Sequence, residues 1–117
     1  MVEQLFRFIE KSVSCFHAVD TIQKELEEAG FQQLKEKEEW ELTAGGKYFV
    51  IRNGSSIATF TLPTGEISGF HMVAAHSDSP TFKVKEKPEI TVEEQYVKLN
   101  TEKYGGMILS TWLDRPL

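Results

Sequence analysis

The spacing of apolar residues changes along this chain, and that change limits the possible fold more than any other feature. Apolar side chains recur at helical spacing in residues 2–12 and in about Cys15–Ala29, so both stretches are predicted to be amphipathic helices. From Lys47 onward they follow the alternation or the short runs that are typical of strands. The pattern therefore predicts two helices followed by strands.

Local signals mark the ends of several elements. Ser14 is predicted to cap the second helix, and Gly30 suits the position just beyond its last turn. Asn53-Gly54 separates two strand-like stretches, Lys47–Arg52 and Ser56–Leu62, and favours a hairpin because both residues tolerate positive φ. Further strands are expected downstream, with Pro88 bending or ending the first of them: Phe82–Lys87, Glu89–Val92 and Tyr96–Thr101.

A compact apolar run, Phe70–Ala75, has the pattern of a central strand that is buried on both faces. It leads directly into His76-Ser77-Asp78. In extended backbone, residues i and i+2 project to the same side, so His76 and Asp78 are expected to lie together at the C-terminal end of that strand. In open α/β sheets this edge is where ligands bind.

His76 and Asp78 have the chemistry of a metal site. A neutral imidazole nitrogen binds a divalent ion such as zinc, and a carboxylate beside it can hold the other ring nitrogen. The same spacing also fits a polar strand end, with Asp78 capping the turn into Ser79-Pro80, and the spacing alone leaves both interpretations open. Strand alternation directs His71 to the opposite face, and His17 is expected to pack or hydrogen-bond locally.

Composition and missing motifs exclude several classes of protein. At 117 residues the chain has room for one domain, and its net charge of -5 argues against a nucleic-acid partner. The uninterrupted apolar runs are too short to span a membrane, and no secretory signal is visible. The single cysteine, Cys15, fits a reducing compartment, so a cytoplasmic location is expected. One cysteine also cannot form a zinc site made of several thiolates.

Several stretches, spread in order over the whole chain, together form a more specific pattern than any single motif. They are Phe16-His17-Ala18-Val19, Ala29-Gly30-Phe31, Gly45-Gly46-Lys47-Tyr48, Arg52-Asn53-Gly54-Ser55-Ser56, Ala75-His76-Ser77-Asp78-Ser79-Pro80 with Lys83-Val84-Lys85, Tyr104-Gly105-Gly106, and Thr111-Trp112-Leu113-Asp114-Arg115-Pro116-Leu117. In this order they resemble the start of the M18 family of metalloaminopeptidases, the aspartyl aminopeptidase group.

The resemblance implies an α/β fold, namely the N-terminal part of a zinc-exopeptidase-like fold, with two N-terminal helices followed by a mixed β-sheet. Residues 1–117 would then be a single, truncated N-terminal segment of the catalytic domain. His76 matches the first zinc ligand of the family, and Asp78 matches the catalytic acidic residue that orients this ligand. Ser77 stands where many relatives have threonine, a change that keeps a hydroxyl. The bridging carboxylate, the general base and the remaining ligands of the two-metal centre come later in the family, so the zinc centre is incomplete in this chain.

The function implied by the resemblance is that of a zinc-dependent aminopeptidase, which removes the N-terminal residue of a peptide with metal-activated water. This chain alone is expected to be inactive and to self-associate, since exposed apolar surface such as Met107–Leu117 favours homo-oligomers. A peptide substrate is expected for the intact enzyme, with neither nucleic acid nor membrane as a partner. One alternative is a non-catalytic binding or assembly module derived from the same fold. Another is a different two-metal exopeptidase or deacylase with a similar H-x-D strand end.

Overall fold

The structure, a computed structural model, describes residues 2–114 and divides into two compact units between Asp78 and Ser79. The first unit contains α1 (Val2–Lys11), α2 (Cys15–Glu28), β1 (Gln32–Leu34), β2 (Lys47–Arg52) and β3 (Ser56–Thr61). The second unit contains β4 (Thr81–Val92), β5 (Tyr96–Tyr104) and a 3-10 helix, Leu109–Trp112. Neither of the α-helices within residues 2–114 has the length and apolar character to cross a membrane. That residues 1–117 belong to a single catalytic domain stays a prediction.

A mixed three-stranded sheet in the order β1-β2-β3 forms the centre of the first unit. β1 pairs with β2 in parallel, whereas β3 pairs with β2 in antiparallel orientation through a hairpin. Asn53 and Gly54 have φ angles of 53° and 67°, and the Ser55 N–H donates to the Arg52 carbonyl oxygen at 3.2 Å. The two helices, the mixed sheet and the Asn-Gly turn are therefore confirmed.

The second helix also has the predicted ends. The Ser14 side chain accepts a hydrogen bond from the His17 N–H at 3.5 Å, which makes Ser14 the N-cap of α2. Gly30 has a φ of 80°, and the Phe31 N–H donates back to the Leu26 carbonyl oxygen at 2.9 Å. This pair of features forms a Schellman motif, which satisfies carbonyl groups that the end of the helix would otherwise leave unpaired.

The core of the first unit lies on the two faces of β2. Tyr48 and Val50 project to one face, where they form a buried cluster with Leu34 of β1. Phe49 projects to the opposite face and is fully buried, with an exposed fraction of 0%. Helix α2 packs against β1 and β3 and buries Val19. As a result, β2 contributes more to the core than any other strand of this unit.

Tyr48 also joins β2 to the segment that precedes it. Its hydroxyl oxygen accepts a hydrogen bond from the Thr43 N–H at 2.9 Å and lies 3.1 Å from the Thr43 hydroxyl. The bond with the Thr43 hydroxyl and, to a smaller extent, the bond from its N–H lower the pKa of the Tyr48 phenol, because they favour the phenolate. Phe60 packs against the Tyr48 ring with centroids 5.6 Å apart, and Trp40 stacks on Phe60 at 6.3 Å.

The prediction of a central buried strand at Phe70–Ala75 is wrong for the described chain. No strand is present between β3 and β4, and Val73 is 101% exposed. A strand that is buried on both faces needs a paired neighbour and covering elements. Within residues 2–114 no strand pairs with this run, so its apolar side chains remain in solvent.

The second unit is an antiparallel ribbon of β4 and β5. Pro88 lies inside β4, where the pairing register shifts between Val84 and Glu89. Proline has no N–H for the ladder, which explains why the irregularity falls here, as predicted. However, β4 continues as one strand through Pro88 and is not divided into two.

Both units expose apolar side chains. On α1, Leu5 and Ile9 are exposed although they follow the predicted helical spacing, and in the second unit Ile108 and Leu113 are each 71% exposed. The apolar surface that was expected to favour self-association is therefore present, while self-association itself stays a prediction. The end of the predicted Met107–Leu117 tail, residues 115–117, lies outside the described residues.

Gly46→Ala is expected to destabilise the first unit by about 1–3 kcal/mol, because a Cβ at this position would overlap the buried Tyr48 ring. A Cβ on Gly46 would lie 2.6 Å from Tyr48 Cζ. Gly69→Ala is the matched control, since no atom lies within 4 Å of its Cβ. Urea unfolding followed by circular dichroism measures both variants. Equal free energies of unfolding for the two alanine variants would contradict the assigned clash.

A surface ion pair joins Arg52, at the end of β2, to Glu36. The Arg52 Nε donates to Glu36 Oε1 at 3.0 Å and to Oε2 at 3.3 Å, and Nη2 also contacts Oε1. The hydrogen bond from Arg52 is the main reason why the pKa of the Glu36 carboxyl lies below its usual 4.5. Since both side chains are exposed, the pair contributes little to stability.

Glu36→Gln is expected to lower the melting temperature by about 2 °C near neutral pH. A depressed carboxyl pKa stabilises the folded state above the unfolded-state pKa, and this contribution is lost as the pH falls through the folded-state value. The difference from wild type should therefore shrink below pH 4.5, the usual pKa of the group. Thermal unfolding at several pH values measures this effect, with Glu41→Gln as the exposed control. A difference that stays constant across this range would refute the assignment.

Candidate functional site

His76 and Asp78 lie side by side near the end of the first unit. Nδ1 of His76 is 3.2 Å from Oδ1 of Asp78 and 2.8 Å from the Asp78 main-chain carbonyl oxygen. The His76 side chain is 76% exposed and the Asp78 side chain 45%. The two side chains are thus adjacent as expected, although they follow irregular chain and not the end of a strand.

The surroundings of the imidazole determine its tautomer. A carbonyl oxygen and an ionised carboxylate can only accept hydrogen bonds, so either contact requires a proton on Nδ1. We assign the Nδ1–H tautomer to the neutral His76 ring on this ground. Nε2 then carries the lone pair. Histidines that bind metals in proteins also have their second ring nitrogen held by an acceptor, so the arrangement is compatible with a ligand role for Nε2.

Ser77 connects this pair of residues to the sheet. Its hydroxyl donates to the main-chain carbonyl oxygen of Ser55 at 2.9 Å, and both serines are partly buried. Ser55 is the last residue of the loop between β2 and β3, because Arg52 and Ser56 are the final register pair of the hairpin. The candidate site therefore lies beside the Asn-Gly turn.

The donor set fits one zinc ligand with its orienting partner, and not a complete centre. Structural and catalytic zinc sites use three or four protein ligands. Among the described residues, no three His, Cys, Asp or Glu side chains are grouped so that they could hold a metal ion. His71 is exposed in irregular chain, and Nδ1 of His17 lies 2.7 Å from the Ser14 hydroxyl, the local hydrogen bond that was predicted. Any further ligands must come from outside residues 2–114.

The contact between Ser77 and Ser55 has no signal in the amino-acid sequence. Both residues occur in the stretches that carry the family resemblance, but nothing in the local pattern around either one indicates that they meet. The contact joins positions that are 22 residues apart. Only the fold of the hairpin against the later segment brings these atoms together.

Comparison with known protein families identifies a match over nearly the whole chain. The family model described as aminopeptidase I zinc metalloprotease (M18) matches residues 8–117. The probable M18 family aminopeptidase 2 of Clostridium novyi is 53% identical over 116 residues, which cover 97% of this chain and 27% of that protein. The chain thus spans about a quarter of the length of this curated relative.

Solved structures agree with this match. The structure of Chaetomium thermophilum mApe1 superposes with a TM-score of 0.81 at 35% identity, covering 97% of this chain and 26% of the other. The mApe1 dodecamer of S. cerevisiae gives a TM-score of 0.78 at 30% identity, covering 97% and 27%. The fold predicted from the sequence is therefore found in solved structures of similar sequence.

The tautomer assignment predicts a specific NMR signature for His76. At a pH where the ring is neutral, the ¹⁵N shifts of His76 should show a protonated Nδ1 and an unprotonated Nε2, because two acceptors face Nδ1. The exposed His71 serves as the reference ring in the same spectrum. A His76 ring protonated mainly on Nε2 would contradict the contacts with Asp78.

Proposed function

The chain belongs to the M18 family of metalloaminopeptidases, and we propose that it is the N-terminal part of an enzyme that hydrolyses the N-terminal residue from peptides. The observation that carries this proposal is the adjacency of His76 and Asp78 inside the region matched by the family model. The ring nitrogen beside Asp78 must hold a proton, which leaves Nε2 for a cation. The proposal concerns the intact protein, of which this chain is one part.

In this proposal each residue of the pair has a separate role. His76 is one zinc ligand, through Nε2, of a two-metal centre. Asp78 holds the ring orientation and the tautomer, and its carboxylate makes Nε2 more basic. Bound zinc supplies the Lewis acidity that activates a water molecule for attack on the scissile peptide carbonyl. The other ligands and the general base come from outside this chain, so the 117-residue chain alone is inactive.

The proposed setting of the intact enzyme is a homo-oligomer in the cytoplasm. The S. cerevisiae mApe1 structure is a dodecamer, and Leu5 and Ile9 of α1 present apolar surface that a second protein could cover. The single thiol, Cys15, suits a reducing compartment. The net charge of -5 disfavours nucleic acid as a partner, and the proposed substrate is a peptide.

A second candidate function is a non-catalytic binding or assembly module. Residues 2–114 group no complete donor set for a metal ion, which fits such a module, whereas coverage of only 27% of a curated relative fits one part of the enzyme. The two candidate functions predict different genes: the enzyme requires coding sequence that continues after Leu117, whereas a stop codon at that point favours the module. They also differ in whether the intact protein hydrolyses peptides. Peptide hydrolysis by the intact protein supports the enzyme, whereas stable binding without turnover supports the module.

His76→Ala in the intact protein is expected to lower kcat/KM on an N-terminally free peptide by more than about 100-fold. Loss of a group that hydrogen-bonds to a metal ligand lowers metal affinity or activity by about 10–100-fold, and loss of the ligand itself should lower them further. Zinc content, measured by mass spectrometry after dialysis, should fall in the same variant. Zinc content and activity should be measured on the same protein preparation, so that the loss of metal and the loss of activity can be compared directly.

His71→Ala is the matched control, since His71 is an exposed histidine of the same irregular segment. It should keep the zinc content and activity of the wild type. The proposal is wrong if His76→Ala retains both properties. Zinc-dependent turnover by the isolated 117-residue chain would show instead that the chain is catalytically complete.

A further inference from the structure

We infer that Ser77 is a positioning residue, which holds the His76–Asp78 pair at a fixed place beside the β2–β3 hairpin. The hydrogen bond from its hydroxyl to the Ser55 carbonyl oxygen, 2.9 Å long, makes this link. The consequence for zinc rests on the proposed function. The link itself can be measured without metal.

The acceptor of this hydrogen bond, the Ser55 carbonyl oxygen, belongs to a part of the fold that is restrained by turn geometry and burial. Asn53 and Gly54 occupy the left-handed conformations that a tight turn requires, and the Ser55 N–H closes the turn onto Arg52. The strand before the turn, β2, carries the fully buried Phe49. The Ser55 carbonyl oxygen is therefore held in place by the hairpin and the core together.

The donor belongs to a segment with little regular structure. The chain between β3 and β4 contains no helix or strand, and residues 70–75 are exposed. The contact between His76 and Asp78 joins positions only two residues apart, so it sets the ring orientation but not the location of the pair. Ser77 lies between them, and its hydrogen bond reaches a residue 22 positions away. It therefore places the pair relative to the hairpin.

A histidine that binds a metal needs both the correct ring orientation and the correct position relative to the other ligands. Displacing a catalytic group by about 1 Å can reduce a rate by about 100-fold, and loss of an outer-shell partner weakens metal binding by about 10–100-fold. Without the Ser77 hydroxyl, the Ser55 carbonyl oxygen loses this donor and the segment gains conformational freedom. We therefore expect the hydroxyl, and not the size of the side chain, to matter at this position.

Two substitutions separate the hydroxyl from the shape of the side chain. Ser77→Thr keeps the hydroxyl, and Ser77→Val has nearly the same shape as threonine but cannot donate. In the 117-residue chain, ¹⁵N relaxation gives order parameters for the amides of residues 76–78. Ser77→Val should lower them to about 0.6 or less, while Ser77→Thr should keep the wild-type values. The amides of Phe49 and Val50 serve as the internal control and should not change.

The second measurement uses the intact protein. Ser77→Val should weaken zinc binding, measured by competition with a chelator, by roughly 10–100-fold, and Ser77→Thr should stay within about twofold of wild type. Because Ser77 acts through its neighbours, the activity loss of Ser77→Val at saturating zinc should be in kcat more than in KM. Rescue by threonine distinguishes this positioning role from a general loss of stability.

The possible results have distinct meanings. Equal order parameters for Ser77→Val and Ser77→Thr would overturn the link to the hairpin. Lower order parameters with unchanged zinc affinity and kcat would overturn the positioning role. An intact wild-type protein that holds no zinc and cleaves no peptide would overturn the proposed function, and with it the consequence for zinc, whatever the serine variants do.

Discussion

Burial of β2 on both faces is the constraint on which the rest of the first unit depends. Phe49 is fully buried on one face, and Tyr48 and Val50 are buried on the other. A strand with both faces covered and both edges paired cannot shift its register without exposing its apolar side chains. The turn after β2 is held for this reason, and with it the Ser55 carbonyl oxygen that accepts from Ser77.

The candidate site combines a local and a distant interaction. The His76–Asp78 contact is formed within three consecutive residues, so it can exist even though the segment around it is irregular. Its place in the molecule depends on the hairpin, through Ser77. This pair is not a complete metal site by itself, because no three His, Cys, Asp or Glu side chains are grouped among residues 2–114 to hold an ion. This agrees with a chain that spans 27% of a curated relative.

Sequence patterns predicted the elements whose signals are local. The ends of α2 follow from Ser14 and Gly30, and the hairpin follows from Asn53-Gly54, because capping and turn geometry depend on a few adjacent residues. The same approach was wrong at Phe70–Ala75, where apolar composition indicated a buried strand. A strand is buried only where neighbouring elements cover it, and the composition of residues 70–75 does not show whether such elements are present. The Pro88 irregularity was predicted, but the continuity of β4 through it depends on pairing with β5.

The amino-acid sequence by itself determined the two N-terminal helices, the β2–β3 hairpin with its Asn-Gly turn, the family pattern and the choice of His76 and Asp78 as the candidate pair. Each of these follows from residue chemistry or from spacing over a few positions. Only the tertiary structure decided that Tyr48 leaves no room for a side chain at Gly46, that residues 70–75 are exposed, and that Ser77 reaches Ser55. These features depend on which surfaces the fold brings together. Ser55 and Ser77 are 22 positions apart, and the whole of β3 and the irregular segment after it lie between them.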